Sequence, residues 1–422
     1  MQPNETERGR FYYGWYIAMA LALTETVSYG IMLYAFTVYI LPMEAELGWS
    51  RAQITGAISL KLLVAGAMAF PVGWWVDRHG ARLLMTVGSI GATALVIAWS
   101  QGDTLWMFYL IFAGMGVCSA MVHYEPAFAV VATWFIHRRT AAMAIITFAA
   151  GLASTIFIPL ADALLNLMGW RNAVLVLGIT LGILTILPHA IVLRRRPSDI
   201  GLLPDGGTLS DQKTGVVQRG VSLRAALHSR YFWMLTLAFT LAGFAAAGVR
   251  QHFIPLLVDR GMGASAAAFA SGSIGIMQVV GRVVFAPLDM RFPARAMAAG
   301  VFALQIVALG ILLSGASLII VGVFVVAFGT SVGAMTLARP SIIAERFGSA
   351  SYGQISSVMA IFLTLGATAA PVVTGLLYDL NGNYTLALWM ASGFAASATA
   401  VMIFSRPDAH PASTIITVPE AN

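Results

Sequence analysis

The residues best suited to chemistry are the few ionisable side chains inside long apolar runs: Glu25, Lys61, His123, Glu125, Asp162, Arg250, His252, Arg282 and Arg339. A charge at the centre of a lipid-spanning segment costs about 2.5–3.5 kcal/mol on insertion scales, so each should face a cavity or a partner. Arg282 carries the most specific chemistry. Its guanidinium is a planar fork of donors matched to a carboxylate, which marks it as the substrate-binding residue for an organic anion. The alternative is a fixed ion pair with an acid such as Asp289. His123 titrates near neutrality and adjoins Tyr124 and Glu125. It is expected to meet substrate or a proton, the alternative being an ordinary hydrogen bond between helices. Arg250 and His252 read as lying towards the outer end of their helix, where they attract an anion or snorkel to the interface. Tyr29 is taken as a cavity aromatic, although most Tyr, Met and Phe residues here are packing or lipid-facing. Lys61 is expected to pair with an acid such as Glu25, and Glu25 to take part in gating or coupling. Glu125 and Arg339 occupy equivalent places in two similar halves. They are expected to pair across the central axis in one conformation and part in another, or else to pair independently.

Reaction chemistry is not legible. No HExxH, GxSxG or paired-carboxylate motif lies in the apolar runs, and there is no Walker motif, so the chain reads as neither an enzyme nor an ATP-driven pump. Cys118 is the single cysteine. It has no CxxC or CxH context and reads as a small buried hydrophobe, so neither a metal nor a cofactor is expected.

The elements that must position these residues follow from composition. Of the 422 residues, 59% are hydrophobic and 10% are charged, against about 25% charged in soluble globular chains. A surface with so few charges suits lipid. Long apolar runs begin near Tyr13, Ala52, Leu83, Leu105, Ala141, Asn172, Tyr231, Ala264, Ala294, Leu318, Gly353 and Tyr384, which predicts an all-α membrane protein of twelve transmembrane helices. The run from Tyr13 to Leu41 is too long for a cleavable signal region and reads as the first span. No run shows the alternation of a barrel strand. With the N-terminus placed inside, eighteen of the 24 lysines and arginines fall in inner segments and three, Arg51, Arg171 and Arg260, in outer loops. That bias puts both termini in the cytoplasm. The net charge of +6 forms no continuous patch, so no nucleic-acid partner is expected. The expected location is a cell membrane, multi-pass, of the bacterial inner-membrane kind.

The polar stretch from Arg194 to Arg230 reads as a linker between halves, giving residues 1–193, 194–230 and 231–422. Its end, Ser222 to Arg230, reads as a short amphipathic helix with Leu223 and Leu227 on one face. Glu125-Pro126 corresponds to Arg339-Pro340, and Pro159 with Gly169-Trp170-Arg171 to Pro371 with Gly382-Asn383-Tyr384, both at offsets slightly over 210 residues. Such duplication suits a transporter whose halves rock about a central site.

The segment Gly73-Trp74-Trp75-Val76-Asp77-Arg78-His79-Gly80-Ala81-Arg82 follows the second run. Its pattern G-x-x-x-D-R-x-G-x-R resembles the signature of the major facilitator superfamily, with a degenerate copy at Asp289-Met290-Arg291. The resemblance covers the whole chain and implies that Asp77, Arg78 and Arg82 gate the cytoplasmic side. Tyr13-Gly14-Trp15, Gly48-Trp49-Ser50-Arg51, Trp134-Phe135 with Arg138-Arg139, Arg196-Pro197-Ser198-Asp199-Ile200-Gly201-Leu202 and Gly281-Arg282 further resemble the monocarboxylate transporter and oxalate–formate exchanger branch. That resemblance implies a small organic anion, most readily a monocarboxylate, bound by Arg282 and moved with protons. Two departures matter. The eleventh run has no cation, which disfavours oxalate, and the first has Glu25 where the animal carriers use Lys. A larger vitamin or aromatic acid, or export, are the alternative readings. Helix five lacks the Gly-Pro motif of many exporters.

Overall fold

The computed structural model describes residues 12–206, 221–348 and 351–405, apart from the side chain of Asp77. Its long elements are all α-helices: α1 Tyr13–Tyr29, α2 Phe36–Leu47, α3 Arg51–His79, α4 Ala81–Trp99, α5 Leu105–Val122, α6 Tyr124–Trp134, α7 Arg139–Gly151, α8 Ala153–Ile191, the short α9 Leu223–His228, α10 Arg230–Asp259, α11 Ala264–Asp289, α12 Ala294–Leu313, α13 Leu318–Phe347, α14 Tyr352–Asn381 and α15 Thr385–Phe404. In lipid every backbone amide and carbonyl must find a partner inside the chain, and a helix satisfies them within one segment.

Eleven helical stretches among the described residues are long and apolar enough to cross a membrane. The chain is therefore a multi-pass membrane protein. One stretch, Arg139–Ile191, has 53 residues. Straight, it would run about 80 Å against a hydrocarbon layer of about 30 Å. It is not straight. At Gly169 the backbone turns to φ 76° and ψ 164°, which only glycine adopts without strain. The apolar runs read from Ala141 and Asn172 lie on either side of that break.

The exterior is apolar. Phe70, Leu167, Leu318, Ile319 and Leu380 are each more than three-quarters exposed, as lipid-facing side chains should be. Inside, small residues let backbones touch. A Cβ on Gly333 would lie 2.0 Å from the Gln278 carbonyl oxygen, and one on Gly281 would lie 2.2 Å from that of Thr330. Glycine at both positions is what seats α11 against α13.

The helices before the linker meet those after it along two seams, α3 against α14 and α8 against α11. At one end, here called the latched end, the amide of Ala52 donates to Asp379 across the first seam. The opposite, basal end holds both described termini. There the Tyr13 hydroxyl donates to the Val192 carbonyl and Arg295 donates to the carbonyl of Ile403.

Linker residues pack on the basal end. Asp205 accepts from the amides of Ile136 and His137 at 2.8 and 2.7 Å. Burial, with the Asp205 charge adding to it, pushes the Tyr12 hydroxyl up to about 12. The predicted amphipathic helix is α9, and Leu223 and Leu227 both pack against the core of the following helices.

Candidate functional site

Glu25 lies on α1, just before a π-helical turn at Gly30–Tyr34. A π turn shifts the hydrogen-bond register and marks functional positions in many helices. Here the Ala35 amide reaches back to the Gly30 carbonyl, and the Met32 carbonyl takes the Lys61 ammonium from α3 at 2.9 Å. Lys61 therefore does not pair with Glu25 as expected from sequence; the π turn offers it a carbonyl dipole instead. Glu25 is 0% exposed, and neither carboxyl oxygen has a hydrogen-bond partner.

The helix opposite is interrupted as well. Pro126 has no amide proton to bond back to Val122, and His123 adopts an extended conformation between α5 and α6. The break swings the His123 ring onto Tyr29, stacked at 4.1 Å and 10°. Its Nε2 is buried without a partner. Tyr124 lies 5.0 Å from the Tyr29 ring and within electrostatic range of Glu25, Tyr34 and Arg282. Glu25, Tyr29, His123 and Arg282 thus share one neighbourhood. Glu125 is exposed and Arg339 is half-buried, and no ion pair joins them among the described residues.

Arg282 does not pair with Asp289, which instead accepts from the Ser341 hydroxyl at 2.6 Å. Its Nη1 donates to the Thr147 carbonyl at 2.8 Å, and its Nε is buried without a partner. The guanidinium is half-buried and keeps donors free. It crosses above Gly151, where a Cβ would stand 2.9 Å from Nη1. Glycine at that place gives the guanidinium room.

Further along the same seam, Thr155 donates to the Gly272 carbonyl at 2.8 Å. Next to it opens a small cavity lined by Tyr34, Ser154, Arg250, Gln251, Ser271 and Gln278 among others. Arg250, read from sequence as lying towards the outer end of its helix, lines this cavity. The helical turn faces it into this cavity, while His252, two residues on, points elsewhere.

His252 is 1% exposed and belongs to a latch that the sequence did not reveal. Arg51 donates to both carboxylate oxygens of Asp259 at 2.5 and 3.0 Å, to Glu44 at 2.9 Å and to the Tyr384 hydroxyl at 3.0 Å. The Tyr384 hydroxyl lies 2.9 Å from His252 Nδ1, and Nε2 lies 2.8 Å from the Pro371 carbonyl oxygen. A carbonyl only accepts, so Nε2 carries the proton and Nδ1 accepts from Tyr384. One continuous chain of bonds ties α3, α10, α14 and α15 together. The residue types alone gave no signal for it, because its members are far apart in sequence.

At the basal end Arg78 places its guanidinium 4.2 Å above the Trp74 ring, and its carbonyl accepts from Arg195. Arg82 donates twice to the Ala190 carbonyl, at 2.9 and 2.6 Å. The Asp77 side chain lies outside the described residues. Arg82 thus bonds to α8, whereas Arg78 meets Trp74 of its own helix and Arg195 of the linker.

A family model for the major facilitator superfamily matches residues 21–330. Among curated relatives, monocarboxylate transporter 11 of Homo sapiens is 26% identical over 93% of this chain and 82% of its own length. Monocarboxylate transporter 13 of Bos taurus is 26% identical over 94% and 92%. Two solved structures share the fold. A bacterial homologue of the human lysosomal transporter Spinster, inward-facing and occupied, has a TM-score of 0.70 at 17% identity, covering 94% of this chain and 95% of that one. A variant of the nucleoside transporter NupG has a TM-score of 0.73 at 11% identity, covering 93% and 99%. With the signature at residues 73–82 and the membrane helices already in place, the chain belongs to the major facilitator superfamily, and it is a transporter rather than an enzyme.

Proposed function

We propose that this chain is a secondary active transporter that moves a small monocarboxylate by alternating access, coupled to protons. The observation that carries this reading is Arg282. It is a half-buried guanidinium on the seam between α7 and α11 with no ion pair among the described residues, an unpartnered Nε and one nitrogen spent on a backbone carbonyl. A carboxylate supplies what it lacks. The monocarboxylate transporters among the relatives support the same class.

In this reading the Gly169 break separates two crossings, giving twelve in two six-helix halves, residues 1–193 and 231–422, joined by residues 194–230. The excess of Lys and Arg at the basal end supports a cytoplasmic position for that end and both termini, in a cell membrane. The latch then closes the outer side. Asp77, Arg78 and Arg82 act at the inner gate, and Glu125 with Arg339 pairs when that gate shuts. Glu25 is the coupling group. A carboxyl enclosed without a donor is accommodated only by holding a proton or by moving out, and either links its position to protons.

Uptake of labelled carboxylates into proteoliposomes under an imposed pH gradient tests the reading. Accumulation of monocarboxylates driven by inward protons, lost in Arg282→Lys, is the expected result. Normal transport by Arg282→Lys, or competition by neutral solutes alone, would overturn it.

A further inference from the structure

The cavity beside Arg250 is richer in donors than a simple alkyl carboxylate needs. Ser154, Gln251 and Gln278 are 2%, 4% and 5% exposed. The Ser154 hydroxyl and the amide nitrogens of both glutamines have no hydrogen-bond partner. Arg250 has no hydrogen bond or ion pair with any described residue. Three buried, unmet donor groups and the half-buried guanidinium of Arg250 therefore line one small cavity. A buried donor left without an acceptor forfeits its hydration with nothing in return. No other role accounts for them: the α8–α11 seam is already bonded through Thr155 and Gly272, and the latch uses none of these side chains.

This cavity and the Arg282 site lie along the same helix, α11. Ser271, Ile274, Gln278 and Arg282 recur at intervals of three or four residues on α11, so they lie along one face of that helix. Gln278 is one turn, about 6 Å, from Arg282. Tyr34 lines the cavity and, like Arg282, lies within electrostatic range of Tyr124.

We infer that Arg250, Gln251, Gln278 and Ser154 form a second subsite that holds an oxygen-rich head at the far end of the transported carboxylate. The solute is then a short two-headed acid, with one carboxylate on Arg282 and a distal carbonyl, amide or carboxylate oxygen about one helical turn away. This rests on the assignment of the first carboxylate to Arg282. The subsite sets specificity: an acid ending in a methyl group leaves all four donors unmet, whereas one ending in oxygen acceptors satisfies several at once.

Three five-carbon acids of equal length test it: pentanoate, ending in methyl; glutaramate, ending in a neutral amide; and glutarate, ending in a second carboxylate. Uptake of each is measured in proteoliposomes containing the full chain. The wild type is expected to take up glutaramate, glutarate or both at least about tenfold faster than pentanoate. Which one leads separates a neutral from a charged distal head. Arg250→Gln and Gln278→Leu are expected to lower the oxygen-ended acids more than pentanoate, bringing the ratio close to one. A wild-type ratio of one or less overturns the subsite, and so does a ratio that neither variant moves. Because the wild-type ratio decides by itself, poor folding of a variant does not shield the proposal. Full uptake of all three acids by Arg282→Gln, or uptake of none by the wild type, would instead sink the carboxylate assignment on which the subsite rests.

Discussion

Arg51 at the start of α3 and Asp259 at the end of α10 are 208 residues apart in sequence and joined by two hydrogen bonds, 2.5 and 3.0 Å long. Arg51 is 4% exposed. Removing one member of a buried, hydrogen-bonded charge pair costs about 2–5 kcal/mol, much of it from the charge left behind. Arg51→Ala is expected to loosen this end. Thr374 lines a cavity that also touches Tyr384 and His252 and is 5% exposed, so Thr374→Cys in a Cys118→Ser background reports on it. A membrane-impermeant maleimide should label that cysteine about tenfold or more faster once Arg51 is replaced. An unchanged rate would mean that other contacts hold the end shut. Asp259→Ala should lower the Tm more than Arg51→Ala does, since it leaves a buried guanidinium with Glu44 as its one remaining acid.

Gly151 and Arg282 make a linked pair. A Cβ at residue 151 would intrude to 2.9 Å of Nη1, displacing the guanidinium from the Thr147 carbonyl. Gly151→Ala is expected to raise the KM for carboxylate uptake several-fold with a smaller change in maximal rate. Arg282→Lys, a point charge without the planar fork, should reduce uptake at least about tenfold. A Gly151→Ala protein with wild-type KM would show that the guanidinium position is immaterial.

Glu25 has no donor for either oxygen. Glu25→Gln therefore removes no visible hydrogen bond and should fold with a Tm within a few degrees of wild type. It should also uncouple the transporter: exchange of labelled for unlabelled solute persists, while accumulation driven by a pH gradient is lost. Undiminished gradient-driven accumulation would move the coupling role elsewhere, with His123 the next group to test.

Glu125 and Arg339 are apart while the latch is closed. If they meet when the basal end closes, exchanging them, Glu125→Arg with Arg339→Glu, should restore part of the transport that each single change abolishes. Single variants and the exchange that are all equally inactive in uptake would argue for separate partners.

The sequence by itself determined the class of the molecule. Sparse charge, long apolar runs and basic segments bias a chain towards membrane helices whatever their packing, because each run answers to the bilayer alone. It also picked out Arg282, since an arginine in a span is costly wherever the neighbouring helices lie. The helix breaks beside the site were half legible: Pro126 announced a local loss of hydrogen bonding, but the π turn at Gly30–Tyr34 has no comparable residue to mark it. Tertiary structure decided the partners. Lys61 found the Met32 carbonyl rather than Glu25, Asp289 took Ser341 rather than Arg282, and Arg250 and His252, two residues apart, parted to a cavity and a latch. Those outcomes depend on how helices distant in sequence rotate and pack against one another. A one-dimensional pattern of hydropathy and charge does not carry that rotation; close contacts between small residues, such as Gly281 against Thr330, set it.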